Sequence, residues 1–249
     1  MNKVYRILIV AGGYLDCEWA AQWLKKLDIS YCIAADKGLM YVDKLGIHVN
    51  CILGDYDSVD KNALDKYKNK KDYYSQEGFL SNDINIITFP TEKDYTDTHL
   101  AIKKAMNVIK EKKEFNNKAP LNQSGIKEET FEVYILGGIG TRLDHTMTNI
   151  YCMNEAYEAG IDCYMIDKYN KIYICDKEQR IVKQEQHGAF ISILPVTQEV
   201  ILTLKGMKYN LNHFCLKQGV SICQSNEIAE DTAQIIVEKG KIIIYETKD

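Results

Sequence analysis

Hydrophobic positions along this chain repeat with two different periods. Short apolar runs rich in β-branched residues occupy positions 4–10, 31–35, 49–53, 84–89, 131–136 and 163–166. Between them lie stretches with apolar positions three and four apart, at 19–27, 38–45, 97–112 and 145–159. In the 97–112 stretch Ala101, Ala105, Val108 and Ile109 share one helical face. Runs that are apolar on both faces and alternate with helices predict a parallel sheet covered by helices on both faces. Near Lys168 the pattern changes. Strand-like runs at 171–175, 189–194, 200–204, 234–238 and 241–245 follow, with turns and no helical stretch between them. The Lys239-Gly240 pair reads as a hairpin turn between the last two runs. The expected fold is α/β: a parallel-sheet domain with helices on both faces over residues 1–168, then a small antiparallel β-sandwich or partial barrel over residues 169–249. Polar stretches at 66–85 and 114–129 read as loops, the second as a surface insertion.

Composition narrows the class only a little. The 249 residues suffice for one large domain or two small ones, and 46% hydrophobic with 27% charged residues argues against extended disorder. A net charge of -4 gives no general attraction for nucleic acid. The eight cysteines are an even number, but no pair has C-x-x-C spacing and most sit in apolar runs such as Tyr31-Cys32-Ile33. Buried free thiols are expected, and with them a reducing, cytoplasmic compartment. Neither a secretory signal nor an apolar stretch of membrane-spanning length is expected.

Chemistry is expected beyond the carboxyl ends of the parallel strands, where open α/β sheets bind ligands. The first run leads into Gly12-Gly13, the second into Asp36-Lys37-Gly38, and the third into Gly54-Asp55-Tyr56-Asp57-Ser58. The fourth leads into Lys93-Asp94-Tyr95-Thr96-Asp97, and the fifth into Gly137-Gly138-Ile139-Gly140-Thr141-Arg142-Leu143-Asp144-His145. Glycines, carboxylates and an arginine thus gather on one sheet edge. In an extended loop Asp55 and Asp57 point the same way and can share a cation, with magnesium the hard-ligand choice. A plain alternative is a strand end with acidic turn residues. Thr96 reads as the N-cap of the long helix with Asp97 in its first turn, which leaves Lys93 and Asp94 unexplained. The glycine loop ahead of a helix, with Gly138, Gly140 and Arg142, reads as an anion site, or more plainly as a β–α loop with Asp144 as N-cap. It has neither the ending of a Walker A loop nor the spacing of a dinucleotide fingerprint. His145 is an acid–base candidate, although a histidine at a helix start is more often structural.

Three of these segments occur in the order Gly54-Asp55-Tyr56-Asp57-Ser58, Lys93-Asp94-Tyr95-Thr96-Asp97 and Arg142-Leu143-Asp144-His145-Thr146-Met147-Thr148-Asn149-Ile150. In that order and spacing they resemble the thiamine pyrophosphokinase family. Leu204-Lys205-Gly206-Met207-Lys208-Tyr209 and Ser225-Asn226-Glu227 resemble that family's β-domain signatures, so the likeness covers essentially the whole chain. The resemblance implies transfer of the pyrophosphoryl group of ATP to thiamine, giving thiamine diphosphate and AMP. It implies a nucleotide-binding α/β domain followed by a thiamine-binding β-sandwich, working as a homodimer with the active site at the subunit interface.

Residue by residue, the likeness implies magnesium on Asp55, Asp57 and Asp97, with Asp94 nearby, and Arg142 and Asp144 facing the phosphates. Gly12, Gly13, Asp36, Gly38, Gly54, Ser58, Lys93, Thr96, Gly138, Gly140 and His145 would contact nucleotide, and Ser225 and Asn226 thiamine. Departures are Tyr56 for the usual Phe, Lys37 before Gly38, Thr141 for a common Gly, and the 114–129 insertion. None removes a carboxylate. The rival readings are another metal-dependent phosphohydrolase or nucleotidyl or glycosyl transferase, and a non-enzymatic sensor of nucleotide or thiamine.

Overall fold

The computed structural model describes residues 4–55, 67, 84–118 and 129–249. The chain divides into two compact units, Met1–Cys163 and Tyr164–Asp249.

In the first unit, β1 (Val4–Val10), α1 (Cys17–Leu24), β2 (Tyr31–Ala35), α2 (Gly38–Leu45) and β3 (Cys51–Gly54) alternate. They are followed by β4 (Asn85–Thr88), α3 (Asp97–Lys118), β5 (Thr130–Leu136) and α4 (Leu143–Glu158). The five strands pair in parallel in the order β4-β3-β2-β1-β5. Strands β1 to β4 step outward in one direction, and β5 returns to the far side of β1. Right-handed crossovers then place the helices of the outward steps and the returning α3 on opposite faces of the sheet. Ile7, Leu8, Ile9, Ile33, Ile52 and Ile135 are fully buried, as strands covered on both sides require. The predicted face of α3, Ala101, Ala105, Val108 and Ile109, is buried, and Ile102 joins it. This helix packs on β1, β2, β3 and α4.

Helix α3 departs from expectation at its end. It runs to Lys118, into the stretch read as an insertion, because the Lys- and Glu-rich segment after Ile109 has good helix formers on an exposed face. Residues 119–128 of that stretch, and nearly all of the 66–85 stretch, lie outside the described residues.

Strand β6 (Asp162–Ile166) ends the first unit and opens the second. The second unit holds β7 (Asn170–Cys175), β8 (Gln179–Val182), β9 (Phe190–Pro195), β10 (Glu199–Lys205), β11 (Leu211–Lys217), β12 (Thr232–Lys239) and β13 (Ile242–Thr247). One antiparallel set runs β6-β7-β13-β9 and the other β11-β10-β12-β8. Tyr173, Ile191, Ile193 and Ile244 from the first set and Val200, Leu202, Leu216 and Ile235 from the second form one core, which makes this unit a sandwich.

The hairpin expected at Lys239-Gly240 is not there. The turn is real, with Gly240 at φ 88, but β12 joins one sheet and β13 the other. The connection crosses between the layers. All eight cysteines are free; Cys32, Cys51, Cys163 and Cys175 are buried. Among the described residues no helix is long and apolar enough to cross a membrane.

Candidate active site

The return of the chain from β4 to β5 creates a topological switch point between β1 and β5. The crevice beyond the carboxyl ends of these strands is where a doubly wound sheet binds its ligand. A cleft of about 620 Å³ opens there. Its rim is a set of loops tied to one another through their backbones. Ala11 N–H donates to Leu136 O at 2.8 Å, Gly13 N–H to Gly137 O at 2.8 Å and Tyr14 N–H to Ile139 O at 3.0 Å. Two glycines permit this closeness. At Gly137, φ is 67 and a β-carbon would lie 2.4 Å from Ala11 O. At Gly38 a β-carbon would lie 1.9 Å from Val10 O, so only glycine lets α2 begin against the end of β1.

Helix α4 holds the glycine loop from below. Asn149 Nδ2 donates to Gly138 O at 2.8 Å, and Gly140 N–H donates to Thr146 Oγ1 at 3.2 Å. Thr146 in turn donates to Arg142 O at 3.3 Å. The Gly140 amide is therefore engaged by a side chain of α4. The N-cap of α4 is Arg142, at φ -88 and ψ 104, without a side-chain cap. Asp144 lies in the first turn instead of capping, and suits the positive helix end there. Arg142 Nη2 and Nε donate to the two Asp144 oxygens at 2.6 and 3.3 Å. That fork holds the exposed Asp144 carboxyl below its ordinary value.

The charged floor centres on Lys93. Its ammonium lies 2.7 Å from Asp97 Oδ1 and 3.4 Å from Asp55 Oδ2, with all three side chains less than a quarter exposed. Burial pulls the Lys93 pKa down, and the Asp97 hydrogen bond and charge, helped by Asp55, outweigh it and leave it raised. Burial pushes the Asp97 carboxyl up; Lys93 opposes this, and the charges of Asp36 and Asp55 add to it. Asp36 follows β2 at φ 47, a strained position for a residue with a side chain, and lines the cleft. Thr96 caps α3 through its hydroxyl, which accepts from His99 N–H at 3.2 Å, and so fixes Asp97 in the first turn.

The structure brings most of the sequence candidates together. Gly12, Gly13, Asp36, Asp55, Lys93, Asp94, Thr96, Asp97, Gly138, Gly140, Arg142 and His145 all line the cleft. Gly38, Gly54 and Asp144 are not among its lining residues. Asp57 and Ser58 lie outside the described residues. Asn149, Thr146 and Tyr95 were not anticipated. Asn149 and Thr146 had a readable signal, since Arg142, Thr146 and Asn149 are spaced by one and two helical turns.

Ser225 and Asn226 belong to the second unit. Asn226 is buried, and its amide accepts from Tyr209 N–H at 3.0 Å and donates to Tyr209 O at 2.8 Å. Its polar atoms thus hold the 207–209 loop. Ser225 is exposed at φ 51, with its N–H donating to Ser192 Oγ at 2.9 Å.

Asp55 and Asp97 converge on one positive nitrogen, and carboxylate oxygens are the donor type a hard divalent ion takes. Among the described residues no group of three or more His, Cys, Asp or Glu is placed to hold a metal.

Two family descriptions match the sequence. "Thiamin pyrophosphokinase, catalytic domain" covers residues 23–165, and "Thiamin pyrophosphokinase, vitamin B1 binding domain" covers residues 178–242. The chain is 24% identical over 218 residues to thiamine pyrophosphokinase of Bacillus subtilis (strain 168), covering 87% of each. It is 24% identical over 202 residues to thiamin pyrophosphokinase 1 of Caenorhabditis elegans, covering 80% of this chain and 68% of that one. The crystal structure of Bacillus subtilis thiamine pyrophosphokinase superposes with a TM-score of 0.74 at 26% identity, over 98% of this chain and 99% of that one. The yeast thiamin pyrophosphokinase structure has the same fold, with a TM-score of 0.68 at 17% identity over 99% and 87%.

Proposed function

The chain belongs to the thiamin pyrophosphokinase family, and from that premise we propose that it transfers the pyrophosphoryl group of ATP to the hydroxyethyl oxygen of thiamine, giving thiamine diphosphate and AMP. The observation that carries the reading is the convergence of Asp55, Asp97 and Lys93 in the same cleft as the glycine loop and Arg142. Pyrophosphoryl transfer forms an oxygen–phosphorus bond at the β-phosphorus and breaks the α–β bridge. It needs alignment and neutralised charge more than a covalent nucleophile.

In this reading the phosphates lie along the 137–142 loop. Arg142, whose guanidinium is aimed by Asp144, donates to their oxygens. Lys93 supplies a positive charge from the floor. Asp55 and Asp97, with Asp57 as their partner by motif, would hold magnesium, which supplies charge neutralisation at the phosphate oxygens. A cleft carboxylate accepts the proton of the thiamine hydroxyl as its oxygen bonds to phosphorus. Ser225 and the 207–209 loop held by Asn226 would meet thiamine, in keeping with the vitamin B1 binding description over residues 178–242.

We further propose a homodimer with the active site at the subunit interface, in the cytoplasm. Leu143, Met147 and Tyr151 support the first part: they form an exposed apolar stripe on α4 beside the cleft. The free thiols support a reducing compartment.

The test is a product analysis with ATP, magnesium and thiamine. AMP and thiamine diphosphate in equal amounts are expected. Release of ADP, or phosphate release without thiamine, would overturn the proposal.

A further inference from the structure

The cleft is furnished almost entirely for phosphate and cation. Its lining consists of glycines, an alanine, threonines, aspartates, lysines, an arginine, Asn149 and His145, with a single large apolar surface among the described residues, the ring of Tyr95. A nucleotide brings more than phosphates, since its planar base has two apolar faces to cover.

Tyr95 is 46% exposed, and an exposed ring on a loop ordinarily keeps its rotamer freedom. This one is braced. His99 meets it edge-on, with ring centroids 4.9 Å apart and planes at 85°. The Lys103 ammonium lies 5.1 Å from the ring centroid. His99 and Lys103 are one turn apart on α3, and Glu155 of α4 fixes both, through His99 Nε2 at 2.8 Å and Lys103 Nζ at 2.5 Å. Side chains from two helices therefore hold one exposed ring in a single orientation at the cleft.

We propose that Tyr95 is the stacking platform for the adenine base of ATP, and that Glu155 positions it through His99 and Lys103. The proposal rests on the reading of the cleft as a nucleotide site. Two observations favour the base over the other planar group in the reaction, the cationic thiazolium of thiamine. Lys103 already lies over the ring, so a second cation against it adds repulsion, whereas a neutral purine gains stacking. The vitamin B1 binding description also falls on residues 178–242, and Tyr95 lies in the stretch matched as catalytic domain.

Calorimetric titration separates base from phosphate without turnover. A non-hydrolysable ATP analogue and inorganic tripolyphosphate, each with magnesium, are titrated into wild type, Tyr95→Ala, Tyr95→Phe and Glu155→Gln. Circular dichroism confirms that each variant is folded. Tyr95→Ala is expected to weaken the analogue about ten-fold, the size of one lost base–aromatic stack, while leaving tripolyphosphate unchanged. Tyr95→Phe restores the analogue's affinity, and Glu155→Gln shows a smaller loss confined to the analogue. Equal weakening of both ligands, or of neither, would overturn the assignment of Tyr95. If wild type binds tripolyphosphate but not the analogue, the base platform is wrong. If it binds neither, the nucleotide reading falls and the platform with it.

Discussion

Asp55 and Asp97, with side chains 13% and 23% exposed, face the ammonium of Lys93, whose side chain is 12% exposed. At such burial, removing one partner of an ion pair leaves charge without compensation, which costs more than the pair contributed. Lys93→Met is therefore expected to lower stability by about 2–3 kcal/mol in the absence of metal, read by denaturant titration. Magnesium should then raise the melting temperature of the variant more than that of wild type, because it no longer shares the carboxylates with an ammonium. Equal magnesium-induced shifts would show that Lys93 and the metal do not draw on the same oxygens. These residues were legible because each follows a parallel strand and carries a charge that a strand end does not need. For Asn149 and Thr146 only the spacing from Arg142 was legible and their role was not, because a short polar side chain inside a helix resembles any solvated position until the loop it ties is known. The plainer alternative of Asp144 as a cap does not hold, because capping depends on which residue leaves helical geometry, and here that residue is Arg142.

Helices α3 and α4 meet through Glu155, whose carboxyl is held below its ordinary 4.5 first by the Lys103 hydrogen bond and then by that of His99. A carboxylate depressed in the folded state contributes stability above its unfolded value and loses it as pH falls through the folded one. Glu155→Gln should melt below wild type at neutral pH, and the gap should narrow as pH falls below 4.5. A gap independent of pH would assign the effect to packing. At the start of α2, Gly38→Ala drives a β-carbon to 1.9 Å from Val10 O, between two rigid elements that cannot both move. A loss of about 3 kcal/mol is expected in denaturant unfolding, with the cleft deformed on the Gly12 side. Helix α2 was legible to its bounds, and the parallel strands to within a residue or two. Strands β8 and β11 were not, since the first is four residues long and the second buries Leu216 alone, so neither shows an apolar period. The turn at Gly240 was legible and the pairing of its flanking strands was not. A turn is a local property of the backbone, whereas the choice of sheet is settled by contacts far along the chain.

The change from a mixed period to a strand-only period near Lys168 made two architectures visible in the sequence, because each imposes its own spacing on the whole stretch that folds into it. Assembly leaves a weaker trace. On α4, Leu143, Met147 and Tyr151 recur every four residues and are 75%, 42% and 54% exposed, a line of large apolar side chains along one helix edge. The inward face of the same helix is supplied separately by Ile150, Met153 and Ala156, so the outer stripe is not needed for the core. A second copy of the chain covering it would remove that surface from water and bring new groups to the mouth of the cleft beside Arg142. Sedimentation should then show wild type as a dimer whose melting temperature rises with protein concentration. Met147→Glu combined with Tyr151→Glu places two like charges in the stripe without touching the cleft lining, and should shift the protein to monomer. Because an interface-bound active site is incomplete in a single copy, turnover should fall with the dimer fraction and recover in part at high protein concentration. A wild type that sediments as a monomer at every concentration would remove the homodimer proposal. A double variant that stays dimeric and active would place the interface elsewhere on the molecule.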